Sequence, residues 1–315
     1  MTIARGTPPI IDIGPLRPRA GGAETGACIE AIHAACIETG FFVVVGHELD
    51  EPIDAVFEAA RAFFSLPQRE KEHVPRNGRY GFVPRTSRAI DTDRASGETE
   101  FIDIGLADEV ALPDIAGFEN AVRSYQNAAL TTAADILWAL ALALELPPEF
   151  FATRMTEPQC RLRVLHYPAT PLRDDGSRPV PTTPHTDYGA ITLLATDGVP
   201  GLEVKPLDGF WTPVDAPAAG LVVNLGDMMA RWTNDRYRST PHRVVGSPDQ
   251  ERFSVPFFVN PDPRTIVECI PSCVTLEEPC RYEPVAAGAF LASRIDSSAE
   301  PYVDPLEGPA RVAST

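Results

Sequence analysis

Apolar residues recur at two different periods along this chain, and the change of period falls near Pro148. From Gly22 to Thr39, residues Cys28, Ile29, Ile32, Ala35 and Cys36 return at helical spacing until Gly40 stops the run. Phe41-Phe42-Val43-Val44-Val45 is aromatic and β-branched between Gly40 and Gly46, which predicts a buried strand. Glu51 to Phe64 repeats the helical pattern through Ile53, Val56, Phe57, Ala60, Phe63 and Phe64 and ends near Pro67. The longest helix is expected over Phe118 to Leu146.

Beyond Pro148 the apolar runs shorten, separated by proline, glycine and aspartate. Arg161–Tyr167, Ala190–Ala195, Leu202–Val204, Phe210–Val214, Leu221–Leu225, His242–Val245 and Arg252–Val259 read as strands of a sandwich or barrel. A last helix is expected over Ala286 to Ile295. The chain thus reads as mainly β with a helical annex: a helix-rich part over 1–150, a β core over 151–262 and a C-terminal segment over 263–315. No repeat of fixed period appears and the 32 prolines are scattered, so a single domain is expected, its helical first half packed around a β core from the second.

Composition narrows the function. At 44% hydrophobic and 23% charged, the 315 residues suit a soluble globular protein. A formal net charge of −17 disfavours a hold on nucleic acid or on anionic membrane surfaces, which require basic patches. The most apolar stretch, Ala133 to Leu146, contains Asp135 and Glu145 and is too short to span a bilayer. Glycine and proline interrupt the first nine residues, so no export signal is expected there. The six cysteines, at 28, 36, 160, 269, 273 and 280, lack the spacing of a disulfide framework. Reduced thiols and a cytoplasmic location are the expectation.

Candidate chemistry lies in three short motifs. His185-x-Asp187 places an imidazole and a carboxylate on one face if the segment is extended. His242 follows 55 residues after Asp187, far enough to return on a neighbouring strand. Two imidazoles and one carboxylate are the donor set that holds non-heme iron(II) by one face and leaves the other open. Arg252-x-Ser254 puts a guanidinium fork and a hydroxyl on one face, suited to a small carboxylate. Taken singly, His242 reads as a core histidine and Arg252 as an ion-pair partner of Glu251. Their conjunction with His185 and Asp187 favours a metal site. A zinc site at Cys269, Cys273 and Cys280 is a weaker alternative, lacking a fourth ligand.

The ordered segments His185-Thr186-Asp187, Asn224-Leu225-Gly226-Asp227, Ser239-Thr240-Pro241-His242-Arg243-Val244 and Arg252-Phe253-Ser254-Val255-Pro256-Phe257-Phe258 resemble the isopenicillin N synthase-like branch of the iron(II)/2-oxoglutarate-dependent oxygenases. Pro9-Ile10-Ile11-Asp12-Ile13, Gly40-Phe41-Phe42, Gly46-His47 and Glu98 to Gly105 extend the resemblance into the first half. It implies a double-stranded β-helix, or jelly roll, with helices on one side. It further implies Fe(II) held by His185, Asp187 and His242, and 2-oxoglutarate held by Arg252, Ser254 and Tyr167. With O2 as co-substrate, such an enzyme oxidises, most often hydroxylates, a small molecule and releases succinate and CO2. Many members carry asparagine two residues before that tyrosine, where this chain has Leu165.

Two other functions remain open at this point: an oxidase that uses no 2-oxoglutarate, its Arg-x-Ser pair holding the substrate's own carboxylate, and a non-catalytic jelly-roll binding protein. For the substrate, Arg85 and Arg88, within the arginine-rich stretch Arg76 to Arg94, suggest an anionic group. Phe258 is a candidate pocket wall.

Overall fold

The computed structural model describes residues 7–17, 19, 21–85, 99–106, 112–207, 209–217 and 220–296. In chain order the strands are β1 (Ile10–Asp12), β2 (Phe41–Val45), β3 (Gly81–Val83), β4 (Glu100–Gly105), β5 (Arg161–Tyr167), β6 (Thr182–His185) and β7 (Ile191–Thr196). They continue with β8 (Leu202–Val204), β9 (Thr212–Pro213), β10 (Leu221–Leu225), β11 (His242–Val244), β12 (Arg252–Val259), β13 (Ile266–Val267) and β14 (Val285–Ala286). The helices are α1 (Ala23–Glu38), α2 (Asp50–Phe64), α3 (Gln68–Lys71), α4 (Phe118–Ala143), α5 (Asp227–Trp232) and α6 (Ala287–Asp296).

A large sheet ordered β1-β2-β10-β7-β12-β5-β4-β3 faces a small one ordered β6-β11-β8-β9, forming a jelly-roll core. Phe41, Val43 and Val222 of the large sheet meet Leu202 and Val204 of the small one, with Val214 just past β9, between them. The opposite face of the large sheet is covered by α1, α2 and α4, which pack on one another and on β5, β7 and β12. Strand alternation assigns the faces. On β12, Phe253, Val255, Phe257 and Val259 point into the helix-covered core, while Arg252, Ser254, Pro256 and Phe258 line the space between the sheets. Gly40 terminates α1 at φ +66, donating its N–H to Ala35 O, and a Cβ there would lie 2.3 Å from Arg238 O.

Three expectations change. The first half does not merely pack around the β core; it supplies β1, β2, β3 and β4 to the large sheet. β4 escapes a hydrophobicity reading because it carries Glu100 and Asp103, yet all six of its residues are buried. Asp103 tolerates this because Arg163, its partner across the β4–β5 pair, donates two hydrogen bonds to it at 2.7 and 2.8 Å. The strand expected over Phe210–Val214 shrinks to Thr212–Pro213, leaving Phe210 exposed.

The cysteines are not all thiols. Cys269 and Cys280 form a disulfide, their Cα atoms 6.0 Å apart. The loop between them folds back on Asn234, whose Nδ2 donates to the carbonyls of Cys273, Glu278 and Pro279. Chain spacing alone does not report that return. With two of its three sulfurs joined, the zinc alternative is removed. Cys28, Cys36, Cys160 and Cys273 are free and buried. Among the described residues no helix is long and apolar enough to cross a membrane.

Candidate metal centre and its cavity

His185 ends β6 and His242 begins β11, and the two residues are register partners across that antiparallel pair. Their rings lie 4.2 Å apart between centroids. Asp187 is not on a strand with His185, as the i, i+2 argument supposed; it sits in the irregular segment just past the strand end. The amide N–H groups of Asp227 and Met228, at the start of α5, donate to the carbonyls of Asp187 and Gly189. Gly226 permits this approach: a Cβ there would stand 2.4 Å from Gly189 O and 2.7 Å from Asp187 O.

The remaining valences are disposed of by neighbours. His185 Nδ1 lies 2.8 Å from Thr183 O and His242 Nδ1 lies 3.2 Å from Thr240 O. Both carbonyls accept, so each ring carries its proton on Nδ1 and presents Nε2 as a lone-pair donor. Thr192 Oγ1 and Asn224 Nδ2 donate to Asp187 Oδ2 at 2.6 and 2.7 Å. That leaves Oδ1, 3.8 Å from His242 Nε2, facing the two imidazoles. Burial pushes the Asp187 carboxyl upward, but positive charge at the His242 and His185 side, which a bound cation would supply in place of ring protons, together with the Asn224 and Thr192 hydrogen bonds outweighs it and holds it below the usual value. The donor atoms of the three side chains lie within 4.8 Å of one another. Two neutral imidazoles and one ionised carboxylate suit a ferrous ion with open positions.

Beside the triad, a cavity of about 80 Å³ between the sheets is lined by Tyr167, Arg252, Ser254, Leu165 and Thr182 together with His185, Asp187 and His242. Arg252 and Tyr167 are register partners on β12 and β5, and the guanidinium lies 5.0 Å over the tyrosine ring. Arg252 Nε donates to Val199 O, while its buried Nη1 has no hydrogen-bond partner. A buried guanidinium N–H left unpaired is costly, and a carboxylate of the right reach would satisfy it. The residues present therefore fit a keto acid that also bears a distal carboxylate.

Residues 158–261 match the 2OG-Fe(II) oxygenase superfamily, and residues 8–113 match the N-terminal region described as non-haem dioxygenase in morphine synthesis. The 2-oxoglutarate-Fe(II) type oxidoreductase hxnY of Emericella nidulans is 32% identical over 302 residues, covering 88% of this chain and 86% of its own length. The 2-oxoglutarate-dependent dioxygenase citB of Monascus ruber is 32% identical, over 79% of this chain and 83% of its own. Among solved structures, full-length Neurospora crassa T7H in complex with alpha-KG superposes with a TM-score of 0.83 at 27% identity, covering 94% of this chain and 98% of T7H. The chain belongs to the 2OG-Fe(II) oxygenase superfamily. It is an iron(II)- and 2-oxoglutarate-dependent dioxygenase that oxidises a small molecule.

In this oxygenase the cavity continues past the metal triad into a second space of about 130 Å³. His185, Asp187, Arg163 and Phe258 border both parts. The second part is walled by Arg79, Tyr80, Gln159, Arg161, Tyr188 and Asn260, with Leu291 and Ile295 of α6. Of the arginines suggested from sequence, Arg85 is exposed just beyond β3 and lines neither space; Arg88 lies outside the described residues. Arg79, from the same stretch, does reach the cavity.

Sequence reading missed Asn224, Thr192, Arg161 and Gln159. Asn224 had a signal: a lone amide in the otherwise apolar run Leu221 to Leu225 needs a buried partner. Arg161 and Arg163 had one too, since they share the i, i+2 face of Leu165 and Tyr167.

Proposed function

We propose that His185 Nε2, Asp187 Oδ1 and His242 Nε2 ligate Fe(II), and that Arg252, Ser254 and Tyr167 receive the distal carboxylate of 2-oxoglutarate. One observation carries this reading: the convergent donors and the unpaired buried Nη1 of Arg252 open into the same cavity. Iron with 2-oxoglutarate and O2 supplies the oxidising power for C–H hydroxylation, with succinate and CO2 released. The chain's own share is placement. Thr192 and Asn224 occupy Asp187 Oδ2 and so favour one-oxygen ligation, which keeps metal positions open. Leu165 and Phe258 keep water from the space beside them. The second part of the cavity, across the metal from Arg252, would hold the substrate.

Strands from both sides of residue 150 share one sheet, which supports the whole chain acting as one oxygenase unit. The four free buried thiols are compatible with a cytoplasmic setting, against which the Cys269–Cys280 disulfide stands. The test is anaerobic: Fe(II) and then 2-oxoglutarate are added, and a weak visible charge-transfer band is expected with the native protein and not with His185→Ala. A native protein that binds iron without developing the band would instead be an oxidase that needs no 2-oxoglutarate.

A further inference from the structure

We propose that Asp197 is a positioning residue for 2-oxoglutarate, holding the loop whose Val199 carbonyl fixes the guanidinium of Arg252. This rests on the assignment of Arg252 to the distal carboxylate above. Asp197 follows β7 and opens the segment Gly198-Val199-Pro200-Gly201 that leads to β8. A turn at this place needs one carboxylate oxygen, and Asp197 Oδ1 accepts the Val199 N–H at 3.1 Å. The second oxygen does what a turn does not require: Oδ2 accepts the N–H of Phe253, on β12, at 2.7 Å. Asp197 N also donates to Phe253 O at 3.3 Å.

These bonds close a ring around Arg252. Its Nε donates to Val199 O at 3.2 Å, so the loop is tied to β12 once through Asp197 and once through the arginine side chain itself. The far end of the loop is fixed as well, because Val245 N donates to Gly201 O at 2.8 Å. Gly201 allows that approach at φ +156; a Cβ there would stand 2.7 Å from Val245 O. With Nε turned to Val199, the Nη1–Nη2 edge is left for a carboxylate, and Nη1 is the buried atom without a partner. The tether matters because the guanidinium has somewhere else to go. Arg252 borders the cavity beside the metal triad and also a separate space of about 70 Å³ lined by Gly198 to Gly201. A long side chain already held in its binding position loses less freedom when the ligand arrives. Asp197 itself lines neither part of the active-site cavity, so it acts through Arg252.

2-Oxoglutarate and 2-oxobutyrate share the keto-acid end and differ in the distal carboxylate. The ratio of their affinities for the anaerobic Fe(II) protein, read from the charge-transfer band, therefore measures the grip on that carboxylate. Asp197→Ala should lower the ratio about tenfold, by weakening 2-oxoglutarate while Fe(II) and 2-oxobutyrate bind as before. Asp197→Asn, which keeps one acceptor oxygen, should lose less, and it carries the same comparisons if the alanine variant does not fold. With Arg252→Ala already present, neither substitution should change the ratio further. The proposal is overturned if the Asp197 variants keep the native ratio, if both keto acids weaken equally, or if the ratio falls as far in the Arg252→Ala background as in the native one. A native protein that does not favour 2-oxoglutarate over 2-oxobutyrate would overturn the assignment of Arg252, and this proposal with it.

Discussion

The two faces of the large sheet are built from the same strands and do opposite work. On β12, Phe257 is fully buried against the helices, while its neighbour Phe258 borders both parts of the cavity. On β5, Leu162 and Val164 belong to the helix-covered core, while Arg161, Arg163, Leu165 and Tyr167 face the site. A one-residue step thus separates stability from chemistry. The outer face is apolar and closely packed; the inner face holds guanidiniums and hydroxyls that need partners. Stability is expected to be lost on one face and ligand binding on the other.

The largest effect is expected on the outer face. Phe257→Ala should cost about 3–5 kcal/mol of unfolding free energy, as deletion of a buried ring does. Urea denaturation measures it, and the folded fraction should keep its 2-oxoglutarate affinity. A loss below 1 kcal/mol would mean that the faces are less divided than the packing indicates. On the inner face, Arg252→Ala should weaken 2-oxoglutarate by about 30- to 1,000-fold, the usual consequence of truncating one side of a buried charged pair. Without ligand the same substitution should lower the urea midpoint little, because removal of the unpartnered buried Nη1 offsets loss of the Nε bond to Val199 O and of the contact with Tyr167. A parallel fall in midpoint would make Arg252 a structural residue.

Asn224→Ala sharpens the division at its narrowest place. β10 buries Leu221, Val223 and Leu225 outward, and Asn224 inward against Asp187 Oδ2. Loss of that donor should weaken Fe(II) by about 10- to 100-fold, the range for groups that orient a metal ligand. Competition with a chelator measures it. Iron affinity unchanged in the variant would show that Thr192 alone orients the carboxylate.

The large sheet was legible where short apolar, β-branched runs are bounded by glycine, as in β2 and β10. The three proposed metal donors, which the fold does bring together, stood out because His185, Asp187 and His242 belong to short motifs whose spacing carries chemistry. Harder to read was whatever depends on return of the chain. β4 was hidden because Asp103 is neutralised by Arg163, 60 residues away. The wall of the second cavity draws on Arg79, Arg161 and Leu291, which no local pattern joins. Cys269 and Cys280 meet through a loop whose path depends on Asn234. The proposed 2-oxoglutarate side lies on paired strands, where i, i+2 spacing displays it; the second space adds Arg79, Tyr80, Tyr188, Leu291 and Ile295 to the strand residues Arg161, Arg163 and Phe258, and no single spacing joins these.

One ionic cluster lies on the outer face, and its titration tests whether charge there serves stability alone. Lys71 Nζ donates to Glu100 Oε2 at 2.7 Å, and His166 Nδ1 lies 2.9 Å from Glu100 Oε1. Burial pushes the Glu100 carboxyl upward, yet the hydrogen bonds and charges of His166 and Lys71 outweigh it and hold it below its ordinary value of 4.5. Between that lowered value and about 4.5 the unfolded chain binds more protons than the native one. The contribution is therefore complete above pH 4.5 and disappears as pH falls through the native value. Glu100→Gln should lower stability at neutral pH and flatten the acid limb of the stability curve below about pH 4.5. Arg252→Ala, on the other face, should leave that limb as it is. Equal acid limbs in native protein and Glu100→Gln would show that Lys71 and His166 do not favour the ionised carboxylate, and that the outer face gains nothing from this buried charge cluster.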